Sequence, residues 1–316
     1  MTLPIFPFEQ DRYAMTMGTR ALAPDCLIEV DAARYQAELV LKAAILAADE
    51  RYHYQCPAAP DTTAMAWETV THLLPAMARR YPGYFALQVD GARWRWTNRL
   101  LGQTTDFIPG DTATLPRPPL DWLGRQVQED LLLLDGTAAG TPLVAGHLCF
   151  PAGWCLDEKL GQSFLAIHDP VPGFREQIGR SADLLMQRIK PDHPSIRYGW
   201  SLAVTDRLNR APKVSGDLPR LRAAVTAENA GARLFVRVER QTFSRLPRTR
   251  AVLFTIHTYL APLAAVLTDR DRLERFSGVL RTLPPPLRDY KGITPLADRL
   301  LASLERRRGE LAAATG

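Results

Sequence analysis

The chain has 316 residues, of which 46% are hydrophobic and 23% charged, a balance that suits a folded globular protein and excludes disordered and fibrous classes. Only five of its 39 basic residues are Lys, and the formal charge of +5 is spread along the chain; apart from Arg306-Arg307-Arg308 there is no basic stripe with interleaved aromatics, so no nucleic-acid partner is expected. No apolar stretch approaches the ~20 residues of a membrane span, MTLPIFPFEQDR lacks the pattern of a signal peptide, and Cys26, Cys56, Cys149 and Cys155 show no CxxC spacing, so the expectation is a cytoplasmic protein without membrane contact, disulfide scaffold or iron–sulfur cluster of its own.

At this length the prior is one elaborated unit over residues 1–316 with helical additions at both ends. Residues 1–80 read as mostly helical: Asp31 to Asp49 carries apolar residues at helical spacing, and Asp61 to Arg80 repeats the pattern behind Pro-Asp-Thr-Thr. Tyr81-Pro82-Gly83 ends that helix. Phe85 to Gly110 alternates like strands around a turn at Asp90-Gly91, Thr112 to Pro119 is a Pro-rich loop, and Leu120 to Glu129 reads as a helix with a Leu run after it. Leu143 to Phe150 reads as a strand entering the turn Pro151-Ala152-Gly153. Asp157 to Ile167 follows as a helix with an acidic first turn, which must stop near His168 because Asp169-Pro170 comes next. Phe174 to Lys190 is a further helix, and Thr294 to Ala312 closes the chain as an amphipathic one.

The clearest strand pair is Arg233 to Leu246 with Ala251 to Leu260. In the first, Leu234, Val236 and Val238 alternate with Arg237, Glu239 and Gln241; in the second, Val252, Phe254 and Ile256 alternate with Thr255, His257 and Tyr259. If both apolar rows share one side and the loop holds about five residues, Glu239 falls opposite His257, Arg237 opposite Tyr259 and Gln241 opposite Thr255. One face then carries a compact polar cluster, which is equally what the wet face of a half-buried hairpin would carry.

There is no GxGxxG, P-loop, HExxH or GxSxG, so a familiar nucleotide or hydrolase site is not expected. Three long segments are more specific: CFPAGWCLDEKLGQSFLAIHDPVPGF, RYGWSLAVTDRL and RLFVRVERQTFSRLPRTRAVLFTIHTYLAPL. With weaker echoes in YAMTMG at 13 to 18 and PLDWLGRQVQEDLLLL at 119 to 134, they make the chain resemble the heme-dependent oxidative N-demethylase alpha-subunit family over roughly residues 11 to 263. The resemblance implies an α+β fold: a PAS-like antiparallel sheet with flanking helices, its heme-binding core over 85–263 and a helical C-terminal part over 264–316. It also implies a heme monooxygenase reaction, the oxidative N-demethylation of a small secondary amine such as dimethylamine with oxygen. Electrons would come from NADPH through FMN and a 2Fe-2S centre on partner reductase subunits.

Carried over by residue, the resemblance makes His168 in IHDPVP the heme-iron ligand. By spacing alone, a histidine at a helix end is more often a cap or surface residue, and Cys149 and Cys155 are rival ligands. Lys159 and Arg197 are candidate partners for heme propionates, with Trp200 beside the cofactor. Glu239 would hold a substrate ammonium, while Arg237, His257 or Tyr259 polarises oxygen and supplies protons. One departure stands out: the family pattern has Asn before the Trp of RYGWS, where this chain has Gly199. A heme-PAS gas or redox sensor is the alternative from a different class.

Overall fold

The computed structural model describes residues 3–313. They form an α+β architecture with ten strands among the described residues: β1 (Arg20–Ala21), β2 (Tyr54–Gln55), β3 (Phe85–Asp90), β4 (Arg93–Asn98), β5 (Gln103–Phe107), β6 (Asp130–Leu134), β7 (Leu143–His147), β8 (Ser195–Ala203), β9 (Phe235–Arg245) and β10 (Val252–Pro262). Seven of them make one sheet in the order β1-β8-β9-β10-β6-β7-β2, with every pair antiparallel. The other three, β3-β4-β5, form a separate meander.

Both faces of the large sheet are covered. β6, whose sequence is Asp-Leu-Leu-Leu-Leu, is buried throughout, as a continuous apolar run with packing on both sides should be. Helices α1 (Tyr35–His53) and α2 (Pro60–Arg80), with the meander, cover one face through a cluster that includes Leu73, Trp96, Leu131, Leu133 and Leu253. Nearer β8, this same face packs through Val236, Val238 and Ala261 against the helices of 263–313. The opposite face is covered by short helices, α3 (Pro119–Gly124) lying before them in the chain: α4 (Leu156–Lys159), α5 (Phe164–Ile167) and α6 (Arg180–Arg188). Their cluster joins Phe164, Phe174, Ile178 and Met186 to Leu132, Phe243, Val252 and Ile256 of the sheet.

Three local expectations change. The helix expected over 157 to 167 is two four-residue turns, because Gly161 takes φ 80° and the chain reverses there, a conformation glycine adopts freely. The helix expected over 120 to 129 ends at Gly124, where an added Cβ would collide with the His147 ring at 2.4 Å. The β9–β10 register also shifts by one residue. Leu246 pairs with Ala251 through a 2.8 Å bond and Arg250 sits at φ 64°, so the loop is 247–250, one residue shorter than expected. Glu239 therefore lies opposite Thr258, Arg237 opposite Leu260 and Gln241 opposite Ile256.

Candidate functional site

That one-residue shift decides which side chains meet. Side chains alternate along a strand and paired residues share a face, so Arg237, Glu239 and Gln241 share theirs with Phe254, Ile256 and Thr258. Gly199 and Arg197 of β8, opposite Glu239 and Gln241, join them. His257 and Tyr259 point to the other face, with Val238 and Arg240. The polar cluster expected from the sequence is thus split across the sheet. Its premise was a single buried face; here both are buried, and apolar rows do not set the parity.

The two displaced residues have structural partners. His257 Nδ1 lies 3.1 Å from Glu129 Oε1, which also accepts the Glu29 amide at 2.8 Å, and Tyr259 donates to Glu29 Oε2 at 2.8 Å. Burial alone would raise the Glu129 carboxyl, yet His257 holds it below its ordinary range. Arg240 reaches Glu29 Oε2 at 3.1 Å and donates to the carbonyls of Leu27 and Cys26. This network pins residues 26–29 onto the sheet. Trp200, opposite Val238, also points that way, 4.9 Å from the Phe8 ring.

On the first face, His168 caps α5 and its Nδ1 lies 2.8 Å from the Phe164 carbonyl oxygen. The contact fixes the tautomer, because an oxygen acceptor requires Nδ1–H and leaves the Nε2 lone pair free. The ring is stacked on Phe174, with centroids 4.5 Å apart and planes 11° apart, and has Phe164 at 4.7 Å. Burial lowers its pKa, the Phe164 carbonyl raises it, and Arg197 and Lys159 lower it further; the net effect keeps a neutral imidazole. The spacing of Phe164 and His168, one helical turn, is the signal by which this cap is legible in SFLAIH. Lys159 sits beside it, donating to the Ile167 carbonyl at 3.1 Å.

On the same side of the sheet, Glu239 is held from both sides: Arg237 Nε donates to Oε1 at 3.0 Å and Gln241 Nε2 to Oε2 at 3.0 Å. Arg237 is fully buried and spends four of its five N–H donors within the protein, its Nη1 meeting the Leu208 carbonyl at 2.9 Å. Its Nη2 meets the Phe150 carbonyl at 2.5 Å and Thr258 Oγ1 at 3.0 Å. It therefore orients Glu239. Arg197, lowered by burial and raised by Glu239, joins the two sides, since it acts on His168 as well. Tyr13, Met15 and Met17 point inward from an extended strap, packing against the two apolar clusters on either face of the sheet.

Of the rival iron ligands, Cys149 is fully buried against Leu46 and Phe150, and burial pushes its thiol up, away from the thiolate a metal needs. Cys155 is buried at the start of α4. Sequence reasoning missed Gln241 as a support for Glu239, and also Arg210, Arg222 and Lys291, which lie in loops and helices far along the chain. The groove beside the hairpin tip, lined by Trp67, Glu68, Trp94 and Arg248 among others, includes neither His168 nor Glu239.

An imidazole tied through Nδ1, aromatic rings packed on it and a supported carboxylate on the same side of the sheet, in an α+β protein, are groups that could hold a metal-bearing cofactor. Its family agrees. A model described as "Haem-dependent oxidative N-demethylase, alpha subunit-like" matches residues 18–301, and the chain belongs to that family. The family's name carries heme, oxidoreductase chemistry and partner subunits. The residues present fit heme: a neutral histidine tied through Nδ1, apolar packing, and buried arginine donors that make no hydrogen bond within the protein, including Arg197 Nε. No helix among the described residues is long and apolar enough to cross a membrane.

Proposed function

We propose that this chain carries out oxidative N-demethylation of a small secondary amine such as dimethylamine, with His168 as the heme-iron ligand and Glu239 as the amine-binding carboxylate. The sheet takes the part of a PAS-like core, enclosing the cofactor between its Glu239 face and α4–α6. The observation that carries the reading is the His168 Nδ1 contact with the Phe164 carbonyl, on the same side of the sheet as a carboxylate held by Arg237 and Gln241. Bound heme supplies the one-electron and oxygen chemistry.

The protein's own groups bind, orient and exclude water. A secondary ammonium donates to Glu239, whose oxygens each accept one protein hydrogen bond and retain capacity for another. Arg237 and Gln241 fix that carboxylate before the substrate arrives, so little of the binding energy goes into ordering it. Glu239 also serves as the acceptor when the ammonium gives up its proton, the amine being oxidised as its free base. In balance, the amine, oxygen, two electrons and two protons give the demethylated amine, formaldehyde and water. The electrons enter from partner subunits, in this reading from NADPH through FMN and a 2Fe-2S centre.

Hemin titrated into the purified chain tests this. The expected result is a Soret band typical of histidine ligation, lost in His168→Gly and restored by free imidazole; with a chemical reductant, oxygen and dimethylamine, formaldehyde appears. A spectrum indifferent to His168→Gly removes the ligand assignment. Heme bound through His168 without formaldehyde makes the chain a sensor instead.

A further inference from the structure

Four buried side-chain nitrogens near the cleft make no hydrogen bond within the protein: Arg197 Nε, Arg210 Nε and Nη1, and Arg222 Nε. Glu239 acts electrostatically on Arg197, Arg210 and Lys291 alike, and Arg222 acts on Arg210. A Cβ added to Gly292 would lie 3.1 Å from Arg222 Nη2, so Arg222 packs against the residue that follows Lys291. Lys291 spends one donor on the Trp200 carbonyl at 2.8 Å and lies 4.4 Å above the Trp200 ring. Arg207, their neighbour, is neutralised by Asp217 at 2.5 Å.

Three cationic side chains, Arg197, Arg210 and Lys291, thus lie within reach of the charge of a single carboxylate that already accepts from Arg237 and Gln241, and Arg222 adds a fourth cation beside Arg210. Burying cations with unspent donors is unfavourable unless an anion answers both the charge and the geometry. Guanidinium groups answer carboxylates best, by paired parallel hydrogen bonds. Of the lysines, Lys159 donates to the Ile167 carbonyl and lies on the His168 side, whereas Lys291 lies beside the arginines.

We propose that Arg210 and Arg222, together with Lys291 and alongside Arg197, form the seat for the two carboxylates of the porphyrin. This rests on the heme reading above and deepens it. It gives the helices beyond residue 263 a part in holding the cofactor, since Lys291 follows the helix Pro285–Tyr290.

The test compares hemin with hemin dimethyl ester, which keeps the iron and ring but lacks both charges, by Soret titration of the full chain. Wild type is expected to prefer hemin at least tenfold. In Arg210→Met/Arg222→Met the preference is expected to fall below threefold, through weaker hemin binding with ester binding unchanged. Should that variant not fold, Arg222→Gln and Lys291→Gln carry the test, each expected to lower the preference threefold or more. A preference unaltered by these changes, or absent in wild type, overturns the proposal while a Soret band that depends on His168 leaves the heme reading standing. No Soret response to either porphyrin overturns both. Calorimetric titration with inorganic phosphate covers the other source of anions: phosphate binding lost in the variants, with the porphyrin preference unchanged, assigns the seat elsewhere and the proposal falls.

Discussion

Glu239→Gln isolates the charge of the cleft's carboxylate with little disturbance of its frame. In wild type, Oε1 accepts from Arg237 Nε and Oε2 from Gln241 Nε2, each at 3.0 Å. An amide offers only one acceptor oxygen, which stays with Arg237; its NH2 then meets Gln241, which turns its own amide over and accepts. Both supports survive. What is lost is the charge-assisted bond to the substrate ammonium, and a hydrogen bond to a charged group contributes about 1.5–3 kcal/mol. Because the Glu239 side chain is 21% exposed, water screens part of this, which places the expectation in the lower half of that range, a roughly 10- to 40-fold weaker Kd. The assay is the spectral shift of the heme-loaded protein on titration with dimethylamine, with uncharged dimethyl ether as the control. Amine binding within twofold of wild type, or amine and ether weakened alike, refutes the reasoning.

Other residues give sharper structural tests. Arg237→Met strands the carbonyls of Leu208 and Phe150, Thr258 and the Glu239 carboxylate at once, and removing one member of a buried ion pair costs about 3–5 kcal/mol; urea unfolding showing a loss below 1 kcal/mol contradicts this. His147 is buried, and desolvation pushes its pKa down to about 4 despite Asp121 Oδ1 at 3.4 Å. The unfolded chain, titrating near 6.5, therefore binds the extra proton between pH 6.5 and 4, so stability falls as pH falls through that window. Between pH 7.5 and 5 this residue withdraws about 2 kcal/mol, and His147→Gln is expected to show a drop smaller by that amount in urea melts at the two pH values. Gly199→Asn introduces, opposite Glu239, the residue that the sequence resemblance implies, at a position where the nearest atoms to an added Cβ are Gln241 Nε2 at 3.5 Å, Gln241 Cδ at 3.9 Å and Glu239 Cβ at 4.0 Å. One added hydrogen bond of about 1 kcal/mol predicts several-fold tighter dimethylamine binding, and unchanged affinity takes position 199 out of the substrate's surroundings.

Much of the frame was legible along the chain. The two helices before residue 81, the meander around Asp90-Gly91, the long β9–β10 hairpin and the stop at His168 all follow from local periodicity and from Gly and Pro, whose backbone preferences act within a few residues. The family was legible too, because the quoted segments carry it in order. The cleft was legible only in part. Whether Glu239 faces Thr258 or His257 depends on a single residue of loop length, and β9 and β10 are polar and apolar on both sides because α1, α2 and α4–α6 cover both faces. No alternation pattern records that. Arg210, Arg222 and Lys291 look like any of the chain's many basic residues until the fold brings Arg210 and Lys291 within reach of Glu239's charge, Arg222 beside Arg210, and leaves the arginines' buried donors without partners. Local sequence sets which element each residue occupies, whereas register and long-range packing decide which charges meet, because those energies arise only between segments that the folded sheet brings together.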